Sequence, residues 1–372
     1  MEADIATLNR LARVYTHEGA PAKRIDAVSQ LERSVMSCLL WEDEFYEDGQ
    51  SIGLRITELV KEVPAEEVAR VAIQAKQDMG LRHVPLLLAR ELMRTKEGRA
   101  QAAAVFPQVI TRADDIVEFL AIYWRDGKCP LAKQVKKHLG EAFRRFDEYQ
   151  LAKYSGGRKA VKLRDAIRIT RPKPENDQQK ELWGRLVKGE LATPDTWEVE
   201  LSKGGDKKAS WQRLLREKRL AGLAMLRNIR NMAQAGVDAA LIREGISGIH
   251  AGRLLPINFI SAARHNPQFE RDLEGKFFEC FSGEKLQGRT IILVDVSGSM
   301  DDALSARSEL TRMDVACSLA MIGREMFADL RVFTFSNSLA EVPGRRGFAL
   351  RDAVVASQPH GGTYLGGALQ AL

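Results

Sequence analysis

Asp295, Ser297 and Ser299 stand at alternate positions in "TIILVDVSGSMDD", residues 290–302, directly after a run of apolar and β-branched residues. One carboxylate and two hydroxyls following a buried strand are hard oxygen donors, the kind a Mg²⁺ ion takes when it keeps most of its waters. Gly298 lets the loop turn tightly enough for the three side chains to converge. The plainer reading is that Asp295 caps a turn and the serines solvate a loop. A nucleophile elbow is excluded, because "VSGSM" lacks the G-x-S-x-G frame. No nucleophile–base pair or paired carboxylates emerge elsewhere, so the sequence predicts a binding protein and not an enzyme. A second polar element, "HGGTYLGGAL" at 360–369, contributes Thr363 at the opening of a helix.

These loops need a sheet to hold them. "TIILVDVS" and "RVFTFS" read as short strands, and "MDVACSLAMIGREMFA" between them reads as an apolar-faced helix. Strand, helix, strand implies a parallel pair with a crossover, and ligands in such sheets sit at the carboxyl ends of the strands. Asp295 falls at such an end.

A second chemistry is suggested upstream, where residues 128–230 are rich in Lys and Arg while residues 42–48 ("EDEFYED") are acidic. Projected at about 100° per residue, Lys133, Lys136, Lys137 and Arg144 share one sector, and Val135, Leu139, Ala142, Phe143 and Phe146 share another. Arg164, Arg168 and Arg171 follow at i, i+4 and i+7, with Lys153, Arg158 and Lys159 on the turn before them. "REKRLAGLAMLRNIRNM" adds Arg216, Arg219, Arg227 and Arg230 on what reads as one helix. A single cationic face is usually a solvated surface; consecutive ones are spaced to follow a phosphate backbone. No zinc-finger or helix-turn-helix spacing appears, so shape or single-strand contacts to RNA fit better than DNA sequence reading. Tyr123, Trp124, Tyr149 and Tyr154 are the aromatic candidates for stacking, most of them better suited to the core.

Up to about residue 270 the chain reads as helix after helix, an α-solenoid or a compact irregular helical domain. The proline-bearing stretch 171–205 reads as long loops. With 372 residues, 45% hydrophobic and 28% charged, the composition is that of a folded protein of two or three domains, and the net charge of +6 only mildly favours an acidic partner. No run approaches the roughly 18 apolar residues of a membrane span, and the N-terminus lacks a signal-peptide core, so a cytoplasmic location is expected. Cys38, Cys129, Cys280 and Cys317 are far apart and read as reduced core residues.

Two resemblances sharpen these expectations. "DVSGSM", then "RVFTFS", then "GGT" resembles a von Willebrand factor A domain. That resemblance implies a metal-ion-dependent adhesion site with Asp295, Ser297, Ser299 and Thr363 as ligands to a divalent cation, and the hard oxygen donors point to Mg²⁺. The Asp of the family's third loop has no counterpart, since Leu372 falls inside the helix that Thr363 opens, so the resemblance covers about the N-terminal half of that domain. A helical region bearing "FDEYQLAKYSGGRKAVKLRDAIRITRPKP" and "LAMLRNIRNM" ahead of it resembles the TROVE module of the Ro autoantigen family and its bacterial orthologues. Together they cover residues 5–372 and divide the chain into a helical domain over 1–285 and the partial A domain over 286–372. They imply a monomeric ring of HEAT-like repeats closed by an α/β domain. They also imply binding of small structured Y-like RNA on a basic outer surface and of single-stranded ends of misfolded RNA at a central hole, in RNA quality control, with polynucleotide phosphorylase as a partner. Lys153 aligns with a Lys of the family that contacts Y RNA. At the family's next Arg the chain has Gly157 beside Arg158, and at its His the chain has Thr170 between Arg168 and Arg171. A scaffold that binds proteins through the solenoid and the metal site is the alternative.

Overall fold

The computed structural model describes residues 25–38, 40, 49–156, 160–250, 254–281, 283–304 and 308–372. Among them are twenty α-helices and one three-stranded sheet. The protein is mainly helical, and the chain packs as two compact units divided between Pro194 and Asp195. The change from helices to strands comes later, where β1 (Leu286–Asp295) begins.

Unit 1 is built of helices whose principal contacts run between elements no more than three places apart in the chain. At its centre, every residue of the helix Val84–Leu92 is buried. Apolar side chains cover most of its circumference, as so central a position demands, and its two buried charges, Arg90 and Glu91, pair with each other at 2.6 Å. Phe106, Phe119 and Phe143 are fully buried around it. The same core takes Asp115, which is 0% exposed. Its carboxylate accepts from the Lys76 ammonium at 3.0 Å and from the backbone N–H groups of Thr111 at 3.0 Å and Arg112 at 2.9 Å. The acid thereby closes a helix N-terminus and neutralises a buried cation at once.

The stretch 171–205 differs from the expectation of long loops. Asn176 accepts from the Gln179 N–H at 2.8 Å and starts the helix Asp177–Lys188, with Trp183 and Leu186 buried. The prolines at 172 and 174 stand before that cap, where they interrupt nothing.

Unit 2 carries helices from Trp197 onward and then the sheet. Phe277 anchors its core, with ring centroids 5.8 Å from Phe259 and 5.0 Å from Phe281. β1 pairs in parallel with β2 (Phe327–Phe335), and the helix Arg312–Met326 makes the crossover. That helix starts on a capping box between Thr311 and Asp314, and it packs so closely on β1 that a Cβ at Gly323 would overlap Ile292. β3 (Leu339–Val342) then returns antiparallel to β2 through the short turn at Ser336, Asn337 and Ser338, a hairpin absent from the sequence reading. The order β1-β2-β3 leaves Asp295 and Phe335 side by side at one end of the sheet.

Two of the four cysteines depart from the core placement expected of them: Cys129 is exposed and Cys280 half-exposed, while Cys38 and Cys317 are buried. Burial pushes the Cys317 thiol up to about 12, so it is unreactive near neutrality. No helix among the described residues is long and apolar enough to cross a membrane.

Candidate nucleic-acid interface

The helix Lys133–Ala142 turns Val135, His138, Leu139 and Ala142 into the core of unit 1 and leaves Lys133, Lys136 and Lys137 exposed. Lys133 and Lys136 have no acidic partner among the described residues, and Lys137 lies 4.0 Å from Glu141. Arg144 departs from the expected face. The helix stops at Ala142, Arg144 sits in a tight turn, and its guanidinium is engaged by Glu175 at 3.3 Å and the Lys173 carbonyl at 3.1 Å.

The next helix, Glu148–Ser155, opens on a reciprocal cap between Asp147 and Gln150 and buries Leu151 and Ala152. Lys153 projects to solvent with its ammonium 5.7 Å from the Tyr154 ring, a ring that also carries the Arg112 guanidinium at 5.0 Å. Half-buried Tyr154 is therefore occupied by cations of the protein itself. Tyr149, 44% exposed, is one turn before Lys153. Tyr123 and Trp124 are structural: the Tyr123 hydroxyl accepts from the Ala132 N–H, and the Trp124 indole N–H donates to the Cys129 carbonyl at 2.8 Å. Arg158 and Lys159 lie outside the described residues.

The helix Leu163–Thr170 buries Leu163, Ala166 and Ile167. Arg164 is exposed with no partner among the described residues; Arg168 is exposed and donates to the Val187 carbonyl at 3.3 Å. Arg171 does not continue the stripe. It ends the helix in the left-handed region at φ 49°, where the periodic projection no longer applies, and its side chain turns back to the Arg168 carbonyl. Lys162, which sequence reasoning passed over, stands at the N-cap position of this helix, where its backbone N–H donates to the Asp165 carboxylate at 3.3 Å, and joins Arg164 in lining a cleft of about 290 Å³.

In unit 2 the stretch read as one basic helix is two. The first ends at Arg216, Lys218 turns the chain at φ 53°, and the second runs Gly222–Gln234. Arg219 is held by Asp195 at 2.9 Å in the connection. On the second helix Met225, Leu226, Ile229 and Met232 face the core, while Arg227 and Arg230 are exposed with no acid partner among the described residues. Asn228 is buried and donates to the Ala224 carbonyl at 2.8 Å, so it is a helix-packing residue.

At the strand ends, the Asp295 carboxylate accepts from the Ser297 N–H at 2.8 Å, and the Ser297 and Ser299 hydroxyl oxygens lie 3.4 Å apart. The loop after Val355 is drawn against them, with the Gly298 N–H donating to the Gly361 carbonyl at 2.9 Å. Asn337 of the hairpin turn accepts from the Gly362 N–H at 2.7 Å, and the Tyr364 N–H donates to the Ser336 carbonyl at 3.0 Å, which fixes the backbone on either side of Thr363. Thr363 itself is exposed. His360 hydrogen-bonds Asp301 at 2.8 Å, a contact that raises the His360 pKa above its ordinary value. Four oxygen-bearing side chains thus share one end of the sheet, a donor set suited to a hard cation. Among the described residues no group of three or more His, Cys, Asp or Glu side chains is arranged to hold a metal ion.

Residues 180–287 match the TROVE domain. The TROVE segment begins in the helix Asp177–Lys188 and ends at the start of β1; it includes Arg227 and Arg230 and excludes the basic helices at 133–171. Over 109 residues the chain is 32% identical to telomerase protein component 1 of Mus musculus, and likewise to that of Rattus norvegicus. The aligned stretch is 27% of this chain and 4% of either relative. The fold resembles that of the Deinococcus radiodurans RO (RSR) protein in its crystal structure, with a TM-score of 0.63 and 19% identity over 88% of this chain and 80% of that one. The similarity therefore reaches well beyond the TROVE segment at the level of fold.

Proposed function

We propose that the protein binds RNA and does not catalyse a reaction. The observation that carries this reading is the set of exposed cations left without acidic partners on successive helices, Lys133, Lys136, Lys153 and Arg164 in unit 1, in a chain that carries a TROVE domain. Arg70, by contrast, is neutralised by Glu32 and Glu67, while Arg227 and Arg230 of unit 2 are exposed without an acidic partner among the described residues. Leaving cations unpaired keeps their charge available to phosphates, whose condensed counterions are released on binding.

The ligand that suits this arrangement is a small structured RNA of the Y type, docked by its backbone, with flexible single-stranded ends of misfolded or decaying RNA as further ligands. A role in RNA quality control follows, in which the protein holds RNA for an exoribonuclease such as polynucleotide phosphorylase. Four phosphate contacts give a log–log salt slope of about −3.6, so affinity for a structured RNA should fall roughly 100-fold between 50 and 200 mM salt. A filter-binding titration of the full chain checks this. An affinity indifferent to salt would instead favour the scaffold reading, in which an apolar surface binds protein.

The strand-end loops support a second ligand. Asp295, Ser297, Ser299 and Thr363 would hold a divalent cation such as Mg²⁺, which supplies a positive charge able to engage an acidic group of a partner. Mg²⁺ should then raise the melting temperature of the full chain, and Asp295→Ala should abolish the shift. An equal shift in both proteins would leave Asp295 as a turn cap alone.

A further inference from the structure

The strand-end loops close around one exposed side chain that is not itself among the four oxygen donors. Asn337 stands in the turn between β2 and β3, and its amide oxygen accepts from the Gly362 N–H at 2.7 Å. Gly361 and Gly362 are fitted to that amide. Neither has the positive φ at which glycine is favoured. A Cβ at Gly361 would nonetheless overlap the Asn337 carboxamide, and one at Gly362 would lie 3.1 Å from its oxygen. Glycine is needed here for close approach, because any larger residue would push the loop off the turn.

The same turn holds the chain on either side of these contacts. The Ser336 hydroxyl, in a residue 1% exposed, donates to the Pro359 carbonyl at 2.8 Å. Gln358 donates to the Thr334 hydroxyl at 3.0 Å. Thr363 is thus tethered through both neighbours, Gly362 to Asn337 and Tyr364 to Ser336, while its own exposed hydroxyl has no partner among the described residues. On the facing loop the Gly298 N–H donates to the Gly361 carbonyl, so the seat of Gly361 also sets how Ser297 and Ser299 stand relative to Thr363.

A cation held by Asp295, Ser297, Ser299 and Thr363 needs the Thr363 oxygen at a fixed place. Mg²⁺ demands near-ideal octahedral geometry at about 2.0–2.1 Å, whereas Ca²⁺ accepts irregular oxygen sets at about 2.3–2.6 Å. A loosened Thr363 therefore penalises Mg²⁺ more than Ca²⁺. We propose that Asn337 is a positioning residue that makes the strand-end site selective for Mg²⁺ over Ca²⁺, by seating Gly361 and Gly362 so that Thr363 completes the donor set. This rests on the cation reading of these loops and adds to it an ion preference and the residue that enforces it.

Calorimetric titration of the full chain with magnesium chloride, and separately with calcium chloride, tests this. Wild type should bind Mg²⁺ more tightly. Groups that orient metal ligands change metal affinity by about 10–100-fold when removed, so Asn337→Ala should weaken Mg²⁺ about tenfold and Ca²⁺ much less. Asn337→Asp keeps an acceptor for the Gly362 N–H and should restore the preference; its added charge acts alike on two dications and cancels in their ratio. Gly361→Ala should lower the preference as Asn337→Ala does, and the double variant should be no worse than Asn337→Ala, since the amide that the new Cβ would strike is gone. Melting curves without cation check that each variant is folded. Equal affinity of wild type for both ions, an unchanged preference in Asn337→Ala, or a parallel loss of both ions that Asn337→Asp does not rescue would overturn the role of Asn337 and leave the cation site standing. Binding of neither ion by wild type would overturn both.

Discussion

Lys153→Glu combined with Arg164→Glu lowers the affinity for a small structured RNA by roughly two orders of magnitude. Each residue is exposed and neither has an acidic partner among the described residues, so no internal ion pair is lost on substitution. A hydrogen bond to a charged group contributes about 1.5–3 kcal/mol, and losing two costs about 3 kcal/mol or more, which is roughly 100-fold in affinity. The salt slope should become shallower by about two at the same time, since each lost phosphate contact removes about 0.9. Paired measurements of affinity and slope separate this from unfolding, which would abolish binding at every salt concentration. Full affinity with an unchanged slope would remove these helices from the interface. The same substitution pair at Arg144 and Arg171 should do less, because Arg144 is already held by Glu175 and Arg171 is turned back onto its own helix end.

Asp115→Ala should have the largest effect on stability. The substitution strands the Lys76 ammonium, whose side chain is 8% exposed, and leaves the Thr111 and Arg112 N–H groups without their acceptor. Removing one partner of a buried pair costs about 3–5 kcal/mol because the remaining charge stays desolvated. Asp115→Asn keeps an acceptor for the two N–H groups and loses only the charge, so it should fall between wild type and Asp115→Ala. Urea denaturation of the full chain reads this out as a lower midpoint. A loss of less than about 1 kcal/mol for Asp115→Ala would mean that Lys76 finds water or another partner.

Local periodicity accounts for how much of the interface was legible in advance. Val135, Leu139, Ala142, Phe143 and Phe146 were assigned to the apolar side of one segment from spacing alone, and all five are buried. Val135, Leu139 and Ala142 lie on the ten-residue helix Lys133–Ala142, whose faces are set by residues a few positions apart, and Phe143 and Phe146 stay on the buried side through the tight turn that follows it. The strand, crossover helix and parallel strand around Asp295 were legible for a similar reason: short β-branched runs bounded by turns differ from an amphipathic helix within a window of ten residues. The hairpin to β3 was not, because its four residues Leu339–Val342 are too few to declare a period.

The sequence by itself determined which helices are amphipathic, where the cations lie along them, and that Asp295 ends a strand. Only the tertiary structure decided which of those cations are free. Arg144 is neutralised by a residue 31 positions later, Arg219 by one 24 positions earlier, and Arg168 spends a hydrogen bond on a carbonyl 19 positions away. Such partners are brought together by packing between helices, and helical periodicity contains no information about them. The cleft has the same origin: Ser155, Lys162 and Thr193 belong to three separate elements and become neighbours only when the turn after Gly189, held by Glu148, closes over the start of the helix at Leu163.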